Sequence, residues 1–468
     1  SGVINSNFGS TGAGLILGNS GMIDMSFWHN QAGHNPDNQY RALDISGNAT
    51  LENGAIYKVN SDVVNLRADK INFLGPVTGS GTQYVQIGYD PAIALVTAPN
   101  TQITASPMID VVTGLTGVES VTGLKNTVSD SLLNYEIMPA VIYDPVTGVA
   151  SIGSLSIFSP GVSPGMVVAS DSQVAMRSLW VQQSNLMNRM GDIRLNPQDS
   201  HQGAWARVYS GKVKDSDAYR QKFSQKYTGV EAGVDKEYLL KSGKIYAGIM
   251  GSYITSSPDY YKGSGDLKGV GGGIYGTWIS DKGDYVDLVF RASHFDNEYK
   301  FHDLAGTHKG DYNAWAYALS AEYGHRFKIS NQCFIEPQAQ LTFGKIQSSS
   351  YTDSRGARIH QDSADTSSGR LGVLVGYNFS EDKQKQDNVY LRASVIKDFG
   401  SGGKITASDQ TRTIGVAAAG NRGTRLEMNL GGNVELSKRL DIYGELTKSF
   451  GGESEIDWQV DGGIRYRW

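Results

Sequence analysis

Two textures of hydrophobic and polar positions divide the chain near residue 160. Up to there, short Val, Ile, Leu and Thr runs are interrupted every several residues by Gly, Asn, Asp or Pro. Examples are ISGNATLENGAIYKVN at 45–60 and ADKINFLGPVTGSG at 68–81. Runs this short, bounded by turn residues, predict an all-β region with tight turns. No strict repeat period accompanies them, so a solenoid is only one of the forms the pattern allows.

Beyond Gly203 the segments lengthen and alternate. Twelve are visible, at about 203–211, 222–237, 243–255, 267–280, 285–299, 311–327, 333–347, 369–379, 389–399, 425–436, 440–450 and 456–468. In one, Leu426, Met428, Leu430, Gly432, Val434 and Leu436 oppose Arg425, Glu427, Asn429, Gly431, Asn433 and Glu435. In another, Ile335, Pro337, Ala339, Leu341 and Phe343 oppose Glu336, Gln338, Gln340, Thr342 and Gly344. The final segment, IDWQVDGGIRYRW, places Ile456, Trp458, Val460, Ile464, Tyr466 and Trp468 on one face. A period of two is the signature of a strand with two unlike faces.

A soluble sandwich would satisfy that period with strands of about 5 to 6 residues. These segments are longer, their number is even, and aromatics such as Trp278, Tyr285, Trp315, Tyr323, Phe327, Phe399, Phe450 and Trp468 fall near their ends. That combination predicts a twelve-stranded transmembrane β-barrel with apolar side chains facing lipid and polar ones facing the lumen. The final strand must pair to close the ring, because an unpaired edge cannot be satisfied in hydrocarbon.

Between the two textures lies SDSQVAMRSLWVQQSNLMNRMGDIRLNP at 170–197, rich in helix formers. Ser170 with Gln173 has the form of a capping box, and Gly191 and Pro197 mark the far end, so one helix of about 20 residues is expected. Its sides mix Arg177, Gln182, Gln183, Asn185 and Asn188 with Leu179, Leu186, Met187 and Met190. Such a helix suits a polar enclosure. A twelve-stranded lumen is about one helix wide, and this helix is its natural occupant. In KGVGGGIYG, at 268–276, Gly269, Gly271 and Gly273 share the polar face, where glycines would let a helix approach the wall.

Composition narrows the partners. The net charge of -5 over 468 residues provides no basic footprint for nucleic acid. No run of about 18 to 20 apolar residues is present to form a membrane-spanning helix. The single cysteine, Cys333, leaves no intrachain disulfide. The opening Ser1-Gly2 carries neither initiator Met nor apolar leader, so the chain reads as a mature protein or an excised fragment. The turn GNSGM at 18–22 lacks the final glycine of a serine-nucleophile elbow. His29 and His34 have no further ligands at zinc spacing. No cofactor is implied, and no catalysis on an external substrate is expected.

The ordered series SNLMNRMGDIRLNP, GAWARVYSG, YTGVEAGVD, HFDNEYKF, FIEPQAQL and IRYRW resembles the translocator domain of monomeric (type Va) autotransporters, in the texture of the pertactin and serum-resistance branch, over about 165–468. Upstream, RALDISGNATLENGAIYKVN and ADKINF resemble the C-terminal β-helical stem of a pertactin-type passenger. The resemblance implies an all-β organisation: passenger stem at 1–160, linker and pore helix at 161–202, and a Gram-negative outer-membrane barrel at 203–468. It implies a monomer that delivers or anchors its own passenger at the cell surface, helped by periplasmic chaperones and the Bam assembly machinery, amid outer-membrane lipid and lipopolysaccharide. Ile464, Tyr466 and Trp468 match the terminal pattern that assembly reads.

Some relatives cleave their own passenger inside the pore, where an Asn of the helix attacks its own backbone carbonyl with acidic wall residues assisting. Here Asn185 stands at the second position of their scissile pair, after Ser184, and Asp287 falls on their catalytic Asp; their assisting Glu is Gln340. A neutral amide cannot accept a proton as a carboxylate does, so the implied self-cleavage motif is incomplete. Gly269, Gly271, Gly273, Glu322 and Arg326 are expected to contact the pore helix; the plain alternative to catalysis is that Asp287, Glu322, Arg291 and Arg326 simply bond helix and wall polar groups, as buried charges must. Two further readings compete: a surface adhesin or virulence factor using the barrel as anchor alone, and a general porin, which the helix disfavours.

Overall fold

The computed structural model describes residues 3–5, 14–26, 40–95, 100–182, 202–216, 222–303, 306–380, 387–410, 412–417 and 422–468. Two compact units emerge, Ser1–Pro164 with His302–Thr307, and Gly165–Phe301 with His308–Trp468.

In the first unit, short strands stack as parallel rungs. Met22–Asp24, Ile56–Val59, Thr82–Ile87 and Ser120–Leu124 pair in parallel, as do Leu15–Leu17, Ala49–Leu51 and Val77–Gly79. A third face pairs Ala42–Ile45, Lys70–Phe73 and Thr101–Thr113. Parallel register puts like positions above one another, so Ile23, Tyr57 and Val85 form one buried ladder and Leu43, Ile71 and Val112 another. This is a β-helix built from unequal rungs. Two long strands, Leu133–Asp144 and Val149–Val162, end it with antiparallel pairing. At one corner the Asp90 carboxylate accepts hydrogen bonds from Ser61 Oγ (2.6 Å) and the amides of Val63 (3.0 Å) and Ala92 (2.9 Å). Burial nevertheless pushes its carboxyl up to about 6, outweighing those bonds, which pull the other way.

The second unit is a barrel of twelve antiparallel strands: β1 (Gly203–Ser216), β2 (Lys222–Leu240), β3 (Gly243–Tyr260), β4 (Gly263–Ser280), β5 (Asp284–Asp303), β6 (Gly306–His325), β7 (Cys333–Ile346), β8 (Ser368–Asn378), β9 (Asn388–Phe399), β10 (Arg422–Ser437), β11 (Leu440–Phe450) and β12 (Ser454–Arg467). Each strand pairs with its neighbours in chain order, and β1 pairs with β12 from Gly203 opposite Arg467 to Asp215 opposite Ser454, closing the ring.

Side chains alternate as the sequence pattern requires. On β10, Leu426, Leu430, Val434 and Leu436 point outward, while Arg425, Glu427, Asn429, Asn433 and Glu435 are buried within. Leu430 is 50% exposed and Asn429 0%, an inversion of soluble-protein burial that only a hydrocarbon surround makes favourable. On β12 the alternation carries a shift. Trp458, Val460, Ile464, Tyr466 and Trp468 face outward as expected, but Ile456 is buried inside. A β-bulge at Asp457, where Lys212 pairs with Trp458 and the next residue, Val213, with Ile456, moves the earlier part of the strand to the opposite parity.

The long polar connections between β7 and β8 and between β9 and β10 contribute a small sheet. Ser349–Thr352, Arg358–Gln361, Ile405–Ser408 and Thr413–Val416 pair antiparallel in that order. Short turns such as the one between Leu240 and Gly243 lie at the other end. In outer-membrane barrels the long connections face outward and the short turns face the periplasm.

The occupied lumen as candidate functional site

One helix, α1 (Pro164–Gln182), has no solvent-facing side: all its residues except Pro164, Val167 and Val181 are buried. Its start corrects the capping box expected at Ser170. Pro164 takes the first helical position, where a missing N–H costs nothing, and Ser170 lies mid-helix with its Oγ donating to the Ala417 carbonyl at 2.8 Å. The anticipated far end at Gly191 and Pro197 lies outside the described residues.

The wall reaches this helix in part through its backbone. Asn297 Nδ2 on β5 donates to the Ser172 carbonyl at 3.0 Å, Gln225 Nε2 on β2 to the Ala175 carbonyl at 2.9 Å, and Gln361 Nε2 of the outer sheet to the Ala169 carbonyl at 3.5 Å. Side chains add to this. Ser178 Oγ meets Ser454 Oγ at 2.9 Å, and Ser172 Oγ meets the Tyr312 hydroxyl at 3.2 Å. The Trp180 ring stands edge-on to Phe295, centroids 6.1 Å apart. Arg177, 2% exposed, lies in the field of Asp215, Glu453 and Asp398. A charge so enclosed is tolerable only among opposite charges.

Below the described helix, the lumen wall is a lattice of ion pairs. Arg207 donates to Glu231 (2.9 Å) and to Asp461 (3.1 Å), and Arg291 also pairs with Glu231. Arg465 grips both oxygens of Asp235, while Arg392 reaches Glu445 at 3.3 Å and Asn429 at 3.0 Å. Sequence reading missed these pairings. Parity along each strand announced that the residues face inward, but which of them meet is set by ring closure and register between strands distant in sequence.

The residues singled out from sequence distribute as follows. Asp287 is buried on the lumen side of β5 and accepts a hydrogen bond from Thr277 Oγ1 at 2.7 Å. Asn185 lies outside the described residues, so no distance joins the two. Glu322 accepts from the Tyr285 hydroxyl (2.7 Å) and from Arg370 (2.8 Å), a wall-to-wall arrangement. Arg326 donates to Glu336 at 2.7 Å and lines a cavity of about 1000 Å³ near the short-turn end. Gly269, Gly271 and Gly273 share the inner face of β4. The space over Gly269 is taken by Phe295, whose ring meets Trp180 of the helix; Ser293 fills the space over Gly271, and Met250 that over Gly273. Ile464, Tyr466 and Trp468 are outward and about half exposed.

With a closed twelve-stranded ring around the chain's own helix established, the comparison with known proteins is decisive. Residues 204–447 match the Autotransporter beta-domain family. The chain belongs to the autotransporter family. The Pertactin autotransporter of Bordetella parapertussis is 31% identical over 298 residues, covering 62% of this chain and 31% of that protein. The BrkA autotransporter of Bordetella pertussis is 30% identical over 329 residues, covering 69% of this chain and 31% of that one. This autotransporter chain thus spans about a third of the length of the curated relatives it matches. The crystal structure of the beta domain of the Bordetella autotransporter BrkA superposes with a TM-score of 0.50 at 27% identity, over 57% of this chain and 100% of that one. The NalP translocator domain from Neisseria meningitidis shares the fold at 12% identity and a TM-score of 0.50, over 65% of this chain and 99% of that one. The barrel is therefore that of an outer-membrane type V secretion translocator.

Proposed function

We propose that residues 203–468 insert in the outer membrane and deliver or anchor a passenger whose stem is residues 1–160, with 161–202 serving as linker and pore segment. The single observation behind this reading is the grip of Asn297, Gln225 and Gln361 on helix carbonyls. Backbone carbonyls are common to every residue, so wall groups that reach them suit a lumen through which a chain has to pass. Periplasmic chaperones and the Bam assembly machinery are the proposed helpers, reading the outward Ile464, Tyr466 and Trp468 on the closing strand. A single copy suffices, since the ring is closed within one chain.

Protease added to intact cells expressing the chain tests this. Residues 1–160 are expected to carry accessible cleavage sites while the barrel strands resist. Cleavage of that region only after the cells are broken would refute surface delivery. Replacing Ile464, Tyr466 and Trp468 together by Ser is expected to abolish both barrel insertion and surface exposure.

A further inference from the structure

The outer wall carries a basic cluster at the end where the long connections emerge. Lys212 and Lys214 of β1, Lys226 of β2 and Lys448 of β11 all alternate with inward residues and so point away from the lumen. Lys212 and Lys226 are directly opposite each other in the β1–β2 register. Like charges at such a position repel, and neither lysine has an ion pair or hydrogen bond among the described residues. The carboxylate that pairs with the cluster is that of Asp457, the bulged residue of β12, at 2.8 Å from Lys214 and 3.6 Å from Lys448. The bulge also turns the Asp457 carbonyl outward to accept from Lys448 at 2.9 Å. Glu455, directly opposite Lys214 on β12, is a second outward carboxylate, so four cations face two anions.

Depth decides what would neutralise the remainder. On the same strands, toward the short-turn end, the outward residues are Val208, Val230, Leu446 and Val460, each about half exposed, with Trp458 opposite Lys212 at the boundary. The lysines therefore sit where the apolar band stops, at the level of lipid headgroups in the outer leaflet. We propose that Lys212, Lys214, Lys226 and Lys448 form a binding site for the phosphate groups of a phosphorylated outer-leaflet lipid, whose acyl chains lie along Val208, Val230, Val460 and Leu446. This inference rests on the outer-membrane placement of the barrel.

The test uses the full chain folded into detergent micelles, with barrel formation read from heat-modifiable migration on a gel. Adding lipopolysaccharide is expected to raise the midpoint of that transition by several degrees. The Lys212→Gln/Lys226→Gln variant is expected to lose most of the rise, while Lys268→Gln/Lys345→Gln, elsewhere on the outer wall, retains it. Without lipid, the Lys212→Gln/Lys226→Gln variant is expected to be at least as stable as the parent, because a repulsion has been removed. Inorganic phosphate at matched concentration is expected to give little rise, as it has no chains to lie on the apolar strip. An undiminished rise in the Lys212→Gln/Lys226→Gln variant, or an equal rise with inorganic phosphate, overturns the proposal. A chain that shows no heat-modifiable form and stays soluble without detergent would instead overturn the membrane placement itself.

Discussion

The ring of Tyr209 on β1 lies over Gly229, the residue directly opposite it on β2, so closely that a Cβ on Gly229 would collide with the ring. Trp205 covers Gly233, Tyr390 covers Gly431 and Tyr443 covers Gly463 in the same way. An inward aromatic restores the packing that a strand glycine forgoes, and it pins the register of the pair. Gly229→Val is expected to destabilise the barrel by about 1–3 kcal/mol through overpacking. The midpoint of heat-modifiable migration reads this. Combining it with Tyr209→Ala should recover much of the loss, the non-additivity expected of residues in contact.

Glu231 serves two arginines, Arg207 and Arg291, from a fully enclosed position. Glu231→Gln leaves both guanidinium groups short of charge and is expected to cost about 3–5 kcal/mol. Urea unfolding of the barrel in lipid vesicles measures this cost. A change of under about 1 kcal/mol, typical of exposed pairs, would show that the lattice adds little.

Helix retention can be read as ion conductance. The barrel in a planar bilayer is expected to be nearly silent, whereas deletion of 165–182 should give large steady channels, as a porin would. Asn297→Leu removes the bond to the Ser172 carbonyl. At about 1 kcal/mol per hydrogen bond, the open fraction should rise roughly five-fold. Steady large channels in the parent would revive the porin reading.

The stem has its own pH dependence through Asp90. Its carboxyl is held near 6 when folded against an ordinary 3.8. A raised folded value means the folded state binds the proton more tightly, so this contribution is full below the ordinary value. It is lost as pH rises through about 6, and its upper bound is about 3 kcal/mol. Resistance of the stem to proteolysis in urea should fall between pH 4 and pH 6.5. Asp90→Asn should flatten that profile.

Self-cleavage gives a gel result. With Gln340 in place of a carboxylate, the full-length protein in an outer membrane is expected to run mainly as one band. Two bands that merge on Asn185→Gln or Asp287→Asn would establish that the remaining pair suffices.

Much of the barrel was legible because a strand between lipid and a polar lumen has no choice about parity: each of the twelve segments read from alternation corresponds to a strand. What stayed hidden had a physical cause in each case. Ile456 changed face because a bulge at Asp457 inserts one residue, which a period-two reading cannot register. The helix began at Pro164 because enclosure on all sides outweighs the weak helix preference of PGMVVAS, and the local cap signal at Ser170 lost to a bond with Ala417. The outer sheet escaped notice because strands of four residues in polar loops carry no apolar pattern. The ion-pair lattice depends on register between remote strands, which no local spacing encodes.

The pairing of β1 with β12 makes the last strand of the barrel the keystone of the whole ring. A prematurely terminated chain would leave two raw margins facing oil, with no alternative partner, and could not persist in the bilayer. The ring is thus all or none: β1, the first strand in, has no lasting partner on its open side until β12 arrives.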